Sequence, residues 1–119
     1  PRWDNVEQAK ASKRTIVIAE HVVSTETIRQ QPERTVLPGL LVSHVVELPF
    51  SAHPTSVYRE YDYDAKEIER YVKATSTPES LKAYLDEYVY GVKDHWEYLQ
   101  KIGGMKHLNT LKADPILGY

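Results

Sequence analysis

Only two stretches of this chain carry the unbroken apolar, β-branched pattern of a buried strand: residues 14–20, with Ile16, Val17 and Ile18, and residues 40–48, with Leu40, Leu41, Val45 and Val46. Runs without polar alternation belong to parallel sheets covered on both faces. Two parallel strands leave edges and faces that need covering, and sheets usually contain more strands. The sequence therefore predicts an α/β fold with an incomplete parallel sheet. Its remaining strands come from a preceding stretch of chain, from a partner, or from a second copy. Each source predicts a large apolar interface and an oligomer, a swapped dimer if the chain exists alone.

The rest of the chain reads as helix. Asp4 and Glu7 form a cap-like pair ahead of Val6 and Ala9, and Ser24 or Thr25 caps a short turn through Ile28. Pro32 and Pro38-Gly39 then break the chain into a loop before the second strand. Asp64 and Glu67 form another cap pair, with Ile68, Tyr71 and Val72 on one face, predicting a helix over 64–74. Thr77-Pro78 is an N-cap followed by proline at the first helical position. Beyond it Leu81, Tyr84, Leu85, Tyr88, Val92, Trp96 and Leu99 recur at helical steps, predicting one long helix over 78–102 that Gly103-Gly104 stops. The expected architecture is a single domain, 1–119, with a helical C-terminal half.

Several function classes are disfavoured. The net charge is −2 and no basic run exceeds Lys13-Arg14, so nothing marks a nucleic-acid or anionic-membrane partner. The absence of cysteine rules out disulfides, thiolate metal sites and a cysteine nucleophile, and fits a cytoplasmic protein. No apolar stretch approaches the ~20 residues that cross a bilayer. The opening Pro-Arg-Trp-Asp-Asn is too polar for a secretory signal, and a start on Pro1 reads either as a trimmed, split or excised chain or as methionine removal before proline. Histidines 21, 44, 53, 95 and 107 show no metal-binding spacing, so a metal site would require convergence from distant positions. There is no GxSxG elbow, no GxxxxGK loop and no GxGxxG fingerprint.

Candidate chemistry gathers at the strand ends. Glu20 and Glu47 each follow an apolar strand; if the strands are parallel neighbours, both carboxylates emerge on the edge where open α/β sheets bind ligands. Such a pair can split its pKa values and supply an acid or base, or each can simply accept hydrogen bonds from loop amides or pair with Arg29, Arg34 or Arg59. After Glu47 the chain runs Leu-Pro-Phe-Ser-Ala-His-Pro-Thr-Ser-Val-Tyr58, then Arg-Glu-Tyr-Asp-Tyr-Asp64. His53, between Ala52 and Pro54, is fit either to bind a substrate carboxylate or to hold the loop. Tyr58, Tyr61 and Tyr63 alternate with acidic residues and can line a pocket or pack at an interface.

The segment VVELPFSAHPTSVYREYDYD resembles the signature near the end of the alpha subunits of family I coenzyme A transferases, in the glutaconate CoA-transferase branch. There a strand ending in V-E-x-P leads into a G-A-H-P turn and a Y-x-Y-D segment. The likeness extends to Ile16-Val-Ile-Ala-Glu20-His-Val-Val23, to residues 28–39, to Asp94-His95-Trp96-Glu97-Tyr98-Leu99 and to Ala113-Asp114-Pro115-Ile-Leu-Gly-Tyr119, nearly the whole chain. Ser51 departs from the family's glycine. Family alpha subunits are longer and begin with a glycine-rich loop, so the resemblance implies the C-terminal part of one, with the nucleophilic glutamate in the beta subunit, outside these residues. It implies an acyl-pocket wall and substrate-binding surface from Glu20, Glu47, Phe50, Ser51, Ala52, His53, Tyr58 and Tyr61. It also implies partnership with the missing N-terminal part and with a beta subunit. A coenzyme A thioester is the implied substrate, with no resident cofactor or metal. Replacing His53 by alanine is then expected to cost acyl specificity while leaving the fold intact. Related hydrolases that open ring-derived CoA thioesters, and a non-catalytic assembly module, are the alternatives.

Overall fold

The computed structural model describes residues 2–114 and 116–117; the ends of the closing motif, at Pro115, Gly118 and Tyr119, lie outside the described residues. Within the span taken as a single domain, the chain divides into two compact units, Pro1–Ser51 and Ala52–Tyr119.

The first unit runs through α1 (Arg2–Ala11), β1 (Ile16–Ala19), α2 (Thr25–Gln30), 3-10 turns at Pro32–Arg34 and Gly39–Leu41, and β2 (His44–Glu47). The strands are parallel neighbours, paired from Ile16 with His44 to Ala19 with Glu47. That is the incomplete parallel sheet expected, but both strands are shorter than the 14–20 and 40–48 runs. Leu40 and Leu41 leave the extended conformation for the turn that follows Pro38. The expectation of strands buried on both faces is not met within this chain: Ile16 and Val45 remain 65% and 57% exposed, and Ile18 and Val46 are exposed too. Burial of a strand is a property of the layers laid over it, and this unit does not supply them.

Helix α1 begins ahead of Asp4, which therefore sits in the first turn and not at the cap, where its charge still favours the helix N-terminus. Ser24 does cap α2, its hydroxyl accepting from the Thr27 amide.

The second unit contains α3 (Ala65–Ala74), α4 (Pro78–Tyr88), α5 (His95–Lys101) and α6 (Gly104–Leu111), with α3 packed on α4 and α5 on α6. Thr77 closes a capping box with Ser80 at the start of α4. The single helix expected over 78–102 is two helices. At Gly91 a Cβ would meet the Asp86 carbonyl oxygen at 2.4 Å, a fit only glycine allows. Asp94 then starts a new helix, accepting from the Glu97 amide at 2.9 Å while the Glu97 carboxylate reaches back to the Lys93 amide at 2.7 Å. This Asp-x-x-Glu signature lay inside the apolar period and was masked by it. Gly103 (φ 126°) and Gly104 (φ 61°) turn the chain between α5 and α6 in a conformation that L side chains rarely adopt. The most enclosed apolar side chains of this unit are Tyr61, Leu99 and Leu108.

Candidate functional site

In the first unit, the parallel pairing carries the chain past Ala19 and Glu47 at the same, carboxyl-end edge of the sheet. Glu20 does not stand open there: its Oε2 accepts a hydrogen bond from the Phe50 amide at 2.6 Å. This is the loop-amide role considered for it, and it ties the end of one strand to the turn after the other. Phe50 holds a left-handed backbone, φ 58°. A bulky residue held there costs free energy that its surroundings must supply. Glu47 is exposed, and Ser51 half-buried. An open cleft of about 480 Å³ lies in the same unit, lined by Val6, Ser12, Arg14, Ile16 and Val36 among others, and none of the candidate site residues lines it.

In the second unit, the segment 52–64 is laced to itself and to α6. The Ala52 amide donates to the Tyr61 hydroxyl at 3.0 Å, and the Asp64 amide to the Pro54 carbonyl at 2.9 Å. The Asp62 amide donates to the Leu111 carbonyl at 2.7 Å, and the Ala113 amide to the Glu60 carbonyl at 3.1 Å. Tyr61 is buried by this lacing, whereas Tyr58 and Tyr63 stay exposed, Tyr58 with the Arg59 guanidinium 5.5 Å from its ring centre. The His53–Pro54 peptide is cis.

Asp64 is the hub of the segment. Its Oδ1 caps α3 through the Lys66 and Glu67 amides, both at 3.1 Å. Its Oδ2 accepts from two imidazoles, His53 Nε2 at 3.2 Å and His107 Nε2 at 2.5 Å. The other ring nitrogen of His53 meets the Tyr98 hydroxyl at 2.7 Å. A carboxylate only accepts, so His53 carries a proton on Nε2 and, when neutral, takes the Tyr98 hydroxyl proton at Nδ1. Burial by itself would push the Asp64 carboxyl up. The hydrogen bonds from His107, the Glu67 amide and His53, with the attraction of His107, outweigh it and hold the carboxyl at about 2. Burial, then the negative charges of Glu67 and Asp64, raise the Tyr98 phenol above its ordinary range. A second buried carboxylate, Glu67, accepts from Tyr84 at 2.9 Å and from Arg70 at 2.6 Å.

The His53, Asp64 and His107 ligand atoms lie within 4.8 Å of one another, the long-range convergence that a metal site would require. Two nitrogen or oxygen ligands of one tetrahedral ion at ~2.1 Å stand roughly 3.4 Å apart. The 2.5 Å between Asp64 and His107 is instead a hydrogen-bond length, so the cluster is built as a hydrogen-bonded relay.

The His53 side chain is fully enclosed, and both its nitrogens are occupied. Of its two readings, binding substrate or holding the loop, this geometry performs the second. Tyr98 and His107 were absent from the sequence-level candidates, and Asp64 entered only as a helix cap. His107 and Tyr98 lie 43 and 45 positions from the groups they bind, and no local pattern joins them.

The enclosed histidine turn, the twin strand ends and the helical half coincide with a known arrangement. The chain is 42% identical over 118 residues, 99% of its length, to the alpha-type subunit of glutaconate CoA-transferase from Acidaminococcus fermentans, and it superimposes on the crystal structure of that enzyme with a TM-score of 0.90 over 97% of its length. Its sequence and fold are those of part of a CoA-transferase alpha subunit. The chain is also 45% identical over 109 residues, 92% of its length, to an uncharacterized protein of Archaeoglobus fulgidus. It is 28% identical over 98 residues, 82% of its length, to the "Cholesterol ring-cleaving hydrolase IpdA subunit" of Rhodococcus jostii. It spans 24%, 37% and 33% of the Archaeoglobus, Acidaminococcus and Rhodococcus proteins respectively, and 36% of the solved chain. No protein-family model matches it. No helix among the described residues is long and apolar enough to cross a membrane.

Proposed function

We propose that this chain works as part of a CoA-transferase, moving coenzyme A between an acyl-CoA and a carboxylic acid, and contributes acyl-pocket wall and subunit interface. The observation that carries the reading is the 42% identity to a transferase subunit over 99% of the chain, joined to a TM-score of 0.90. The nucleophile that takes the acyl group is supplied from outside these residues, and coenzyme A enters as substrate. Each unit contributes substrate-facing surface, the first through Glu20, Glu47, Phe50 and Ser51, the second through Ala52, Tyr58 and Tyr61, with His53 holding its turn from behind. The exposed apolar strands call for cover by the remainder of the alpha subunit; a beta subunit completes the enzyme, in a cytoplasmic setting.

The ring-opening hydrolase reading has the weaker support, 28% identity against 42%. One experiment separates the readings. The chain is assembled with the remaining alpha-subunit sequence and its beta partner, and CoA transfer is assayed with and without a free carboxylate acceptor. Acceptor-dependent turnover supports the transferase. The same rate with water as sole acceptor shifts the assignment to a hydrolase, and no turnover of acyl-CoA in a correctly formed assembly leaves the assembly-module reading.

A further inference from the structure

The turn that carries His53 is held from behind by a residue 54 positions away in sequence, and this distant support points to a role in specificity. We infer that His107 is a positioning residue for the 52–63 segment, acting through Asp64 and His53, and that it sets acyl-group selectivity; this rests on the reading of that segment as pocket wall. Helix α6 grips the segment at two successive turns of its surface. His107 binds Asp64 Oδ2 at 2.5 Å, and one turn further on the Leu111 carbonyl accepts from the Asp62 amide at 2.7 Å. Positions four apart share a helix face, so α6 presents one continuous holding surface, anchored by the buried Leu108 beside it.

The chain of contacts has a direction. His107 draws on Asp64 Oδ2, and the same oxygen orients His53 through Nε2, leaving Nδ1 for Tyr98. Asp64 itself cannot turn away, because Oδ1 is held by two amides of α3 and its own amide is held by Pro54. Side chains at 52–63 are thus set by a network whose outermost member, His107, is 24% exposed and touches the segment only through a carboxylate. Small displacements of groups that orient a substrate cost rate disproportionately, so loss of this support is read in selectivity before it is read in the fold.

The test compares wild type, His107→Ala and His107→Gln in the assembled protein; glutamine keeps a donor that can reach Asp64. Hydrogen exchange of peptides covering 52–63 is measured alongside kcat and KM for acyl-CoA donors of different chain length. The expected result is faster exchange in 52–63 with α4 unchanged, and a fall of about tenfold in the kcat/KM ratio between preferred and poor donors for His107→Ala, both restored by His107→Gln. Unchanged exchange in 52–63, unchanged selectivity in an active enzyme, or a glutamine variant no better than alanine would each overturn the inference. A wild-type assembly that turns over no acyl-CoA sinks the functional reading and the selectivity claim with it, and the exchange data then decide alone whether His107 holds the segment.

Discussion

A Cβ placed on Gly103 would lie 2.8 Å from the Cβ of His107, so the joint between α5 and α6 and the support of Asp64 are one packing problem. With φ at 126°, Gly103 also occupies a conformation that L side chains resist. Gly103→Ala is therefore expected to cost roughly 2 kcal/mol, from backbone strain and the displacement of His107 together. The urea midpoint, at unchanged slope, measures it; a wild-type midpoint would show that the joint tolerates a side chain.

Asp64 links stability to acid. Its folded pKa, about 2, lies below the ordinary 3.8, so its contribution is complete above about pH 4 and is lost as pH falls through 2. The depression corresponds to about 2 kcal/mol at neutral pH. Asp64→Asn keeps one oxygen to cap α3 but turns an amide donor towards imidazole donors, so it should lose that amount at pH 7. Below pH 2 the gap between variant and wild type should narrow. Unfolding free energies measured from pH 7 down to pH 2 test this, and a gap independent of pH would refute it.

His53→Ala tests something different once its burial is known. The enclosed ring satisfies Asp64 and Tyr98, so alanine leaves a cavity and removes a partner from two buried polar groups. The expected cost is about 3 kcal/mol, against the intact fold that the motif by itself suggested. Tyr98→Phe keeps the packing and removes one hydrogen bond, for about 1 kcal/mol. Thermal unfolding of both variants checks the order; equal midpoints would mean the network holds nothing.

Two caps offer a control remote from that network. Asp94→Ala and Thr77→Ala should each cost about 1 kcal/mol, by freeing amides at the starts of α5 and α4. Because the caps serve separate helices, the double variant is expected to equal the sum within about 0.5 kcal/mol. A double-mutant cycle by chemical denaturation measures it, and strong coupling would show that α4 and α5 behave as the one helix their periodicity suggested.

Everything legible in the order of the amino acids was local. Apolar runs marked two strands, Ser24, Asp64 and Thr77 marked helix starts, and the run from Glu47 to Asp64 carried the family likeness, because each of these rests on neighbours in the chain. The packing of the folded chain supplied the rest. It exposed the faces of strands that read as buried, since cover is supplied by other elements, and it divided one periodic stretch where Gly91 and Asp94 break the helix. It also brought His107 and Tyr98 to the Asp64–His53 pair from 43 and 45 positions away. Such convergence depends on the path of the chain through space, and a hydrogen bond between distant residues leaves no periodic trace along the sequence.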